Sequence, residues 1–82
     1  MGNRQVTIIN KSLIDISYVA DGVKNIVKSK TTDTVNYANN FIIFNDQGQK
    51  VDLNDYEIYS GNLVFRTASF SQEIEIYEKV SI

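Results

Sequence analysis

Three glycine-containing pairs punctuate the chain: Asp21-Gly22, Gln47-Gly48 and Gly61-Asn62. Each lies between runs in which apolar and polar residues alternate. The two-residue turns that close antiparallel hairpins need positive φ at one or both central positions, which glycine reaches without steric cost. Alternation at period two places every second side chain on one face of a strand. No run shows the three- and four-residue apolar spacing of a helix, and Val, Ile, Thr, Tyr and Phe dominate the runs, as pleated structure favours. A chain so punctuated is expected to be all-β: a small antiparallel β-sandwich or partly open barrel of about eight short strands joined by hairpins.

Each turn fixes a register. A type I′ turn at Asp21-Gly22 sets Ala20 opposite Val23, Tyr18 opposite Asn25 and Ile16 opposite Val27, with Asp15 meeting Lys28 on the other face. A two-residue loop at Gln47-Gly48 sets Phe44 opposite Val51, Ile42 opposite Leu53 and Asn45 opposite Lys50. It also sets Ile43 opposite Asp52, a discomfort that a longer loop or a bulge relieves. A type II′ turn at Gly61-Asn62 sets Ile58 opposite Phe65, Tyr56 opposite Thr67 and Glu57 opposite Arg66. A slip of one residue would exchange the faces throughout. In the last strand Ile74, Ile76 and Val80 face one way, and Glu73, Glu75, Tyr77 and Lys79 the other. The expected core is Val6, Ile8, Ile14, Ile16, Val27, Val35, Ile42, Phe44, Leu53, Ile58, Leu63, Phe65, Ile74 and Ile76.

At 82 residues the chain is one domain, 1–82, of a size that buries a modest share of its surface. Such domains are often supported by disulfides, a metal or neighbouring chains. The sequence has no Cys and no His, which excludes disulfides, thiolate catalysis and Cys/His metal sites. Association with other chains is the remaining common support, and a homo-oligomer is expected. The longest apolar run, Phe41-Ile42-Ile43-Phe44, falls far short of the ~18 residues of a membrane span. "MGNRQVTIIN" has no apolar core of a signal peptide. The expected location is a virion or a host cytoplasm, with no membrane partner.

Net charge is −2, without the basic footprint of a nucleic-acid binder, so no nucleic acid is expected. The charge is uneven. Residues 1–51 carry six cations against Asp15, Asp21, Asp33 and Asp46; residues 52–82 carry Arg66 and Lys79 against six carboxylates. The halves are therefore +2 and −4, a complementarity that head-to-tail contacts between copies can use.

Candidate chemistry is sparse. Glu73 and Glu75 share a strand face, and paired carboxylates perform glycosidase chemistry at fixed separations, but such chemistry needs a cleft that 82 residues of short strands rarely build. Charged residues on a strand also serve to discourage edge pairing. Residues 45–55, "NDQGQKVDLND", are rich in oxygen ligands, yet the glycine comes too early for a calcium-binding helix–loop–helix and no Glu closes the loop. "NKS" at 10–12 matches a glycosylation acceptor, and "MGNRQV" lacks the Ser/Thr that myristoylation expects. No enzyme, cofactor or metal is expected. Outward tyrosines beside Glu and Arg make a common protein-interface composition, and the registers put Tyr59, Tyr77, Arg66 and Glu75 on one outward face as the candidate interface.

The stretch Phe41 to Val80 also resembles a β-sandwich module that recurs in bacteriophage tail, fibre and virion decoration proteins. The resemblance rests on Asn45 and Gly48 in a first turn, Asp55-Tyr56, the Gly61-Asn62 turn, Phe65, and Ile74-Glu75-Ile76-Tyr77 in a last strand. The chain departs from the pattern at Ser71-Gln72, where a glycine is common. The resemblance implies a non-enzymatic structural protein of a virion, working through self-assembly and docking on a larger protein assembly. The alternative is a free intracellular binding protein, such as a phage-encoded inhibitor of a host enzyme or a small-ligand binder.

Overall fold

The computed structural model describes residues 3–68 and 72–80. Ser71, singled out above, lies outside that range. Among the described residues nine strands follow one another: β1 (Arg4–Asn10), β2 (Ile16–Ala20), β3 (Val23–Val27), β4 (Thr32–Tyr37), β5 (Phe41–Phe44), β6 (Lys50–Val51), β7 (Glu57–Ser60), β8 (Leu63–Ala68) and β9 (Glu73–Glu78). They form two sheets, β4-β1-β9-β8-β7 and β3-β2-β5-β6, whose inner faces share one apolar core. The chain is all-β, a small sandwich. Every ladder is antiparallel except one: β1 and β9 run parallel, from Thr7 opposite Glu73 to Asn10 opposite Ile76.

Two of the three hairpins adopt the registers that their turns dictate. At the first, Asp21 (φ 51°) and Gly22 (φ 82°) are both left-handed, as a type I′ turn requires, and Ile16 meets Val27. Asp15 does not meet Lys28 there; its carboxylate accepts from Ser29 N at 2.9 Å. At the third, Gly61 (φ 59°) is left-handed and Asn62 is not, which fits type II′, and Glu57 meets Arg66.

The middle hairpin differs by one residue. Ile43 pairs with Val51 and Phe44 with Lys50. Asn45 N donates to Gln49 O at 2.9 Å, and Gly48 takes φ 76°. This is a three-residue loop with a left-handed glycine closing it. The extra loop residue turns the strand over, so Ile43 is fully buried while Ile42 and Phe44 sit half-buried on the outer face. The expectation of Ile42 and Phe44 in the core is corrected accordingly. Val80, expected to face the same way as Ile74 and Ile76, does not share their burial: β9 ends at Glu78, and Val80 is 81% exposed.

The core comprises nine of the expected residues, Phe65 and Ile76 among them, with Ile14, Leu53 and Ile58 packed at its margin. Tyr18, Ile43 and Val51 join them. Tyr18 spans the sheets: its buried hydroxyl donates to Asp33 Oδ2 of β4 at 2.9 Å. Burial, reinforced by that carboxylate, pushes its pKa up from 10.0 to about 12. The unfolded chain releases this proton near 10, whereas the folded chain holds it to about 12. Stability is therefore intact below pH 10 and falls as pH rises toward 12. A phenolate absorbance titration is expected to show Tyr18 ionising late, and Tyr18→Phe should remove its contribution to the late phase.

The β1–β2 connection is fixed by a buried polar knot. Asn10 Nδ2 donates to Ile14 O at 2.9 Å and to Val27 O at 3.0 Å. Its Oδ1 accepts from Ser12 N at 3.0 Å and from Ser12 Oγ at 2.6 Å. Both side chains are buried. The "NKS" sequence is thus structural: the amide nitrogen that a glycan would use already spends both hydrogens inside the protein.

Carboxylates and amides stitch the loops at the two ends. Asp21 accepts from Ala38, Asn39 and Asn40 N at 2.7–3.1 Å, and these bonds hold its carboxyl below the usual carboxylate range. Asn45 donates to Ser60 Oγ, and Asp46 accepts from Asn62 N and Nδ2, clamping the β5–β6 loop onto the β7–β8 turn. Gly61 lies under that clamp, where a Cβ would collide with Asp46 Oδ1 and press on the Asn45 amide. Combined with its positive φ, this predicts that Gly61→Ala lowers stability by about 2 kcal/mol or more, measured by urea unfolding.

Candidate functional site

The outer face of the five-stranded sheet gathers the candidate residues. On β8 and β9, Arg66 sits opposite Glu75 and Val64 opposite Tyr77. On β7, Glu57 and Tyr59 complete the two rows. Strand alternation puts Glu57, Tyr59, Val64, Arg66, Glu75 and Tyr77 on the same surface because their inward neighbours Ile58, Phe65, Ile74 and Ile76 are apolar.

The polar groups on this face pair with one another. Arg66 Nε donates to Glu57 Oε2 at 2.7 Å. Tyr59 hydroxyl donates to Glu57 Oε1 at 3.1 Å, and Tyr77 hydroxyl to Glu75 Oε1 at 2.7 Å. Arg66 lowers the Glu57 pKa most, followed by Tyr59. The Glu57 contribution is therefore present at neutral pH and is lost as pH falls below the ordinary carboxylate range. Tyr77 raises the Lys11 pKa most, with a further contribution from Glu75, whose carboxylate lies 3.7 Å from the ammonium.

Three cations also lie over the two rings. Arg66 Cζ is 5.1 Å and Lys11 Nζ 5.4 Å from the centre of Tyr77; Lys79 Nζ is 6.0 Å from the centre of Tyr59. Cation–π contacts at exposed sites are worth about 0.5–1 kcal/mol each. They bias the orientations of the rings. Between the rings, Val64 is nearly covered although it lies on the outer face. The result is a shallow depression of 470 Å³, floored by Val64 and walled by Tyr59, Tyr77, Val80, Lys11 and Arg66. Tyr59 is 61% exposed and Tyr77 half-buried.

Lys11, Val64, Lys79 and Val80 were not anticipated. Val64 was within reach in part, because the Gly61-Asn62 register sets it opposite Tyr59; its pairing with Tyr77 comes from the β8–β9 ladder. Lys11 was not, because it follows β1 and arrives through the parallel pairing with β9, which no turn encodes.

Other candidates are placed elsewhere. Glu73 and Glu75 lie on the sheet face, but neither walls the depression. In the 45–55 segment, Asn45 Oδ1 accepts from Gln47 N and Gln49 N, while Asp46 is engaged by Asn62, so the side-chain oxygens of Asn45 and Asp46 serve the turn. Among the described residues no group of three or more Asp, Glu, His or Cys side chains gathers as a metal site, and no helix is long and apolar enough to cross a membrane.

The arrangement offers two aromatic rings, an apolar floor and locally balanced charges, the chemistry for stacking and ion pairing. Comparison with family models, with curated protein sequences and with solved structures returns no match.

Proposed function

We propose that this chain is a non-enzymatic structural component of a phage virion that associates with copies of itself and docks on a larger protein assembly. The observation that carries this reading is the outer face of the five-stranded sheet. There Tyr59 and Tyr77, oriented by Arg66, Lys11, Glu57 and Glu75, frame an apolar floor at Val64. Rigid tyrosines with Arg are what protein interfaces concentrate at their cores. The resemblance of Phe41 to Val80 to virion modules supports the setting. The all-β, cysteine-free build supports it too, since a small domain gains stability from neighbours.

The test is gradient sedimentation of a lysate from infected cells carrying a tagged copy of the chain. The wild-type chain is expected to migrate with the particles, and the Tyr59→Ser/Tyr77→Ser variant to stay with free proteins while remaining folded by circular dichroism. A wild-type chain found only among free proteins overturns the virion role and leaves the intracellular binder.

A further inference from the structure

We infer that copies of this chain associate head to tail, with the cationic β3 edge of one copy set against the acidic β6–β7 edge of the next. The inference rests on the self-assembly reading above and specifies its contact.

β3 is the last strand of the four-stranded sheet, and four of its five residues are exposed, with Val27 alone buried. Its inner-facing Val23 is 60% exposed and its outer-facing Ile26 is 55% exposed. The strand therefore overhangs the sandwich, with apolar side chains on both faces and an unpaired backbone edge. Lys24 lies within it and Lys28 directly follows. Neither ammonium has an ion-pair partner among the described residues.

The opposite end of the sandwich has the opposite character. β6 and β7 are the far edges of their respective sheets and are tied together through Asn45 and Asp46. The chain between them carries Asp52 and Asp55, both exposed and without an ion-pair partner among the described residues. Tyr56, beside them, is 70% exposed. Lys50 is the one cation in the stretch from Lys50 to Ser60.

These charges select the mode of contact. Like charges facing one another across paired strands are destabilising and opposite charges stabilising. Two β3 edges laid together would oppose lysines to lysines. A β3 edge laid on the β6–β7 edge instead opposes Lys24 and Lys28 to Asp52 and Asp55, and brings Val23 and Ile26 toward Tyr56. Because the two edges are different surfaces at opposite ends, the contact is heterologous and repeats from copy to copy, giving a closed ring or an open filament.

The experiment is light scattering after size-exclusion chromatography, over a dilution series and at two salt concentrations. The wild-type chain is expected to show a mass above that of the monomer, falling with dilution and with salt. Lys24→Glu/Lys28→Glu has two acidic edges, and Asp52→Lys/Asp55→Lys has two basic edges. Each variant alone is expected to associate about a hundredfold more weakly, and their equimolar mixture to recover association well beyond that of either variant alone. Circular dichroism confirms that each is folded; if either double variant fails to fold, Lys28→Glu and Asp55→Lys replace them. A wild-type chain that is monomeric at every concentration overturns self-assembly and the edge contact together. A wild-type oligomer that both charge reversals leave intact, or weakened variants that do not recover on mixing, overturns the edge contact and leaves self-assembly standing.

Discussion

Asn10→Ala is expected to remove a large share of the domain's stability. The amide satisfies Ser12 N, Ile14 O and Val27 O inside the protein, and no buried side-chain polar atom among the described residues lacks a partner. Alanine leaves those backbone groups facing an apolar gap, and each unsatisfied buried group costs about 1–3 kcal/mol. With partial relaxation, the total is about 3–5 kcal/mol. A domain of this length has roughly 4–12 kcal/mol to lose. The measurement is a urea midpoint at constant slope. Asn10→Asp is expected to be no better, since it keeps the acceptor but replaces the double donor with a buried carboxylate. A loss below about 1 kcal/mol for Asn10→Ala would show that water fills the site and takes over the bonds.

Phe65→Ala has an effect of comparable size from a different cause. Phe65 is completely buried at the middle of β8, opposite Ile58 on one side and Ile76 on the other. Truncation loses the transfer free energy of the ring and leaves a cavity between strands that are hydrogen-bonded on both sides and cannot close on it. The expected loss is about 3–5 kcal/mol. Its neighbour in the ladder supplies the contrast. Tyr59→Ser, on the outer face one residue from Ile58, should change stability by no more than about 1 kcal/mol, whereas Ile58→Asp should unfold the domain. A large loss for Tyr59→Ser with a small one for Ile58→Asp would mean that the faces of β7 are exchanged.

The same residues show what the sequence makes legible. Asp21-Gly22 and Gly61-Asn62 encode their registers because two-residue turns admit few backbone geometries, and the pairing on both faces then follows. Gln47-Gly48 looks equivalent, but the loop has one more residue and Ile43 takes the core position assigned to its neighbours. The uniformly apolar run Phe41 to Phe44 offers no alternation to arbitrate between them, and the clash of Ile43 with Asp52 was the available sign. Tyr18 was paired correctly but not counted as core, because its burial depends on Asp33, which arrives from another sheet. Asn10 and Ser12 read as a modification motif because local sequence does not show that the chain folds over them. On the candidate face, Tyr59 and Arg66 follow from the Gly61-Asn62 register and Tyr77 and Glu75 from the alternation of the last strand, while Lys11 depends on β1 meeting β9 across almost the whole chain.

That parallel meeting of β1 and β9 also sets how the domain answers to mechanical load. With the two strands running the same way, tension applied through the residue preceding β1 and the residue following β9 pulls along the ladder in opposite directions. The bonds between Thr7–Asn10 and Glu73–Ile76, together with Thr7 N to Gln72 O and Lys11 N to Ile76 O at either end, then bear the force in shear, all at once. A hairpin pulled from its open end would give way one bond at a time. Linked at these two points, the domain would resist extension along the β1–β9 ladder while its edge hairpins carried almost none of the strain.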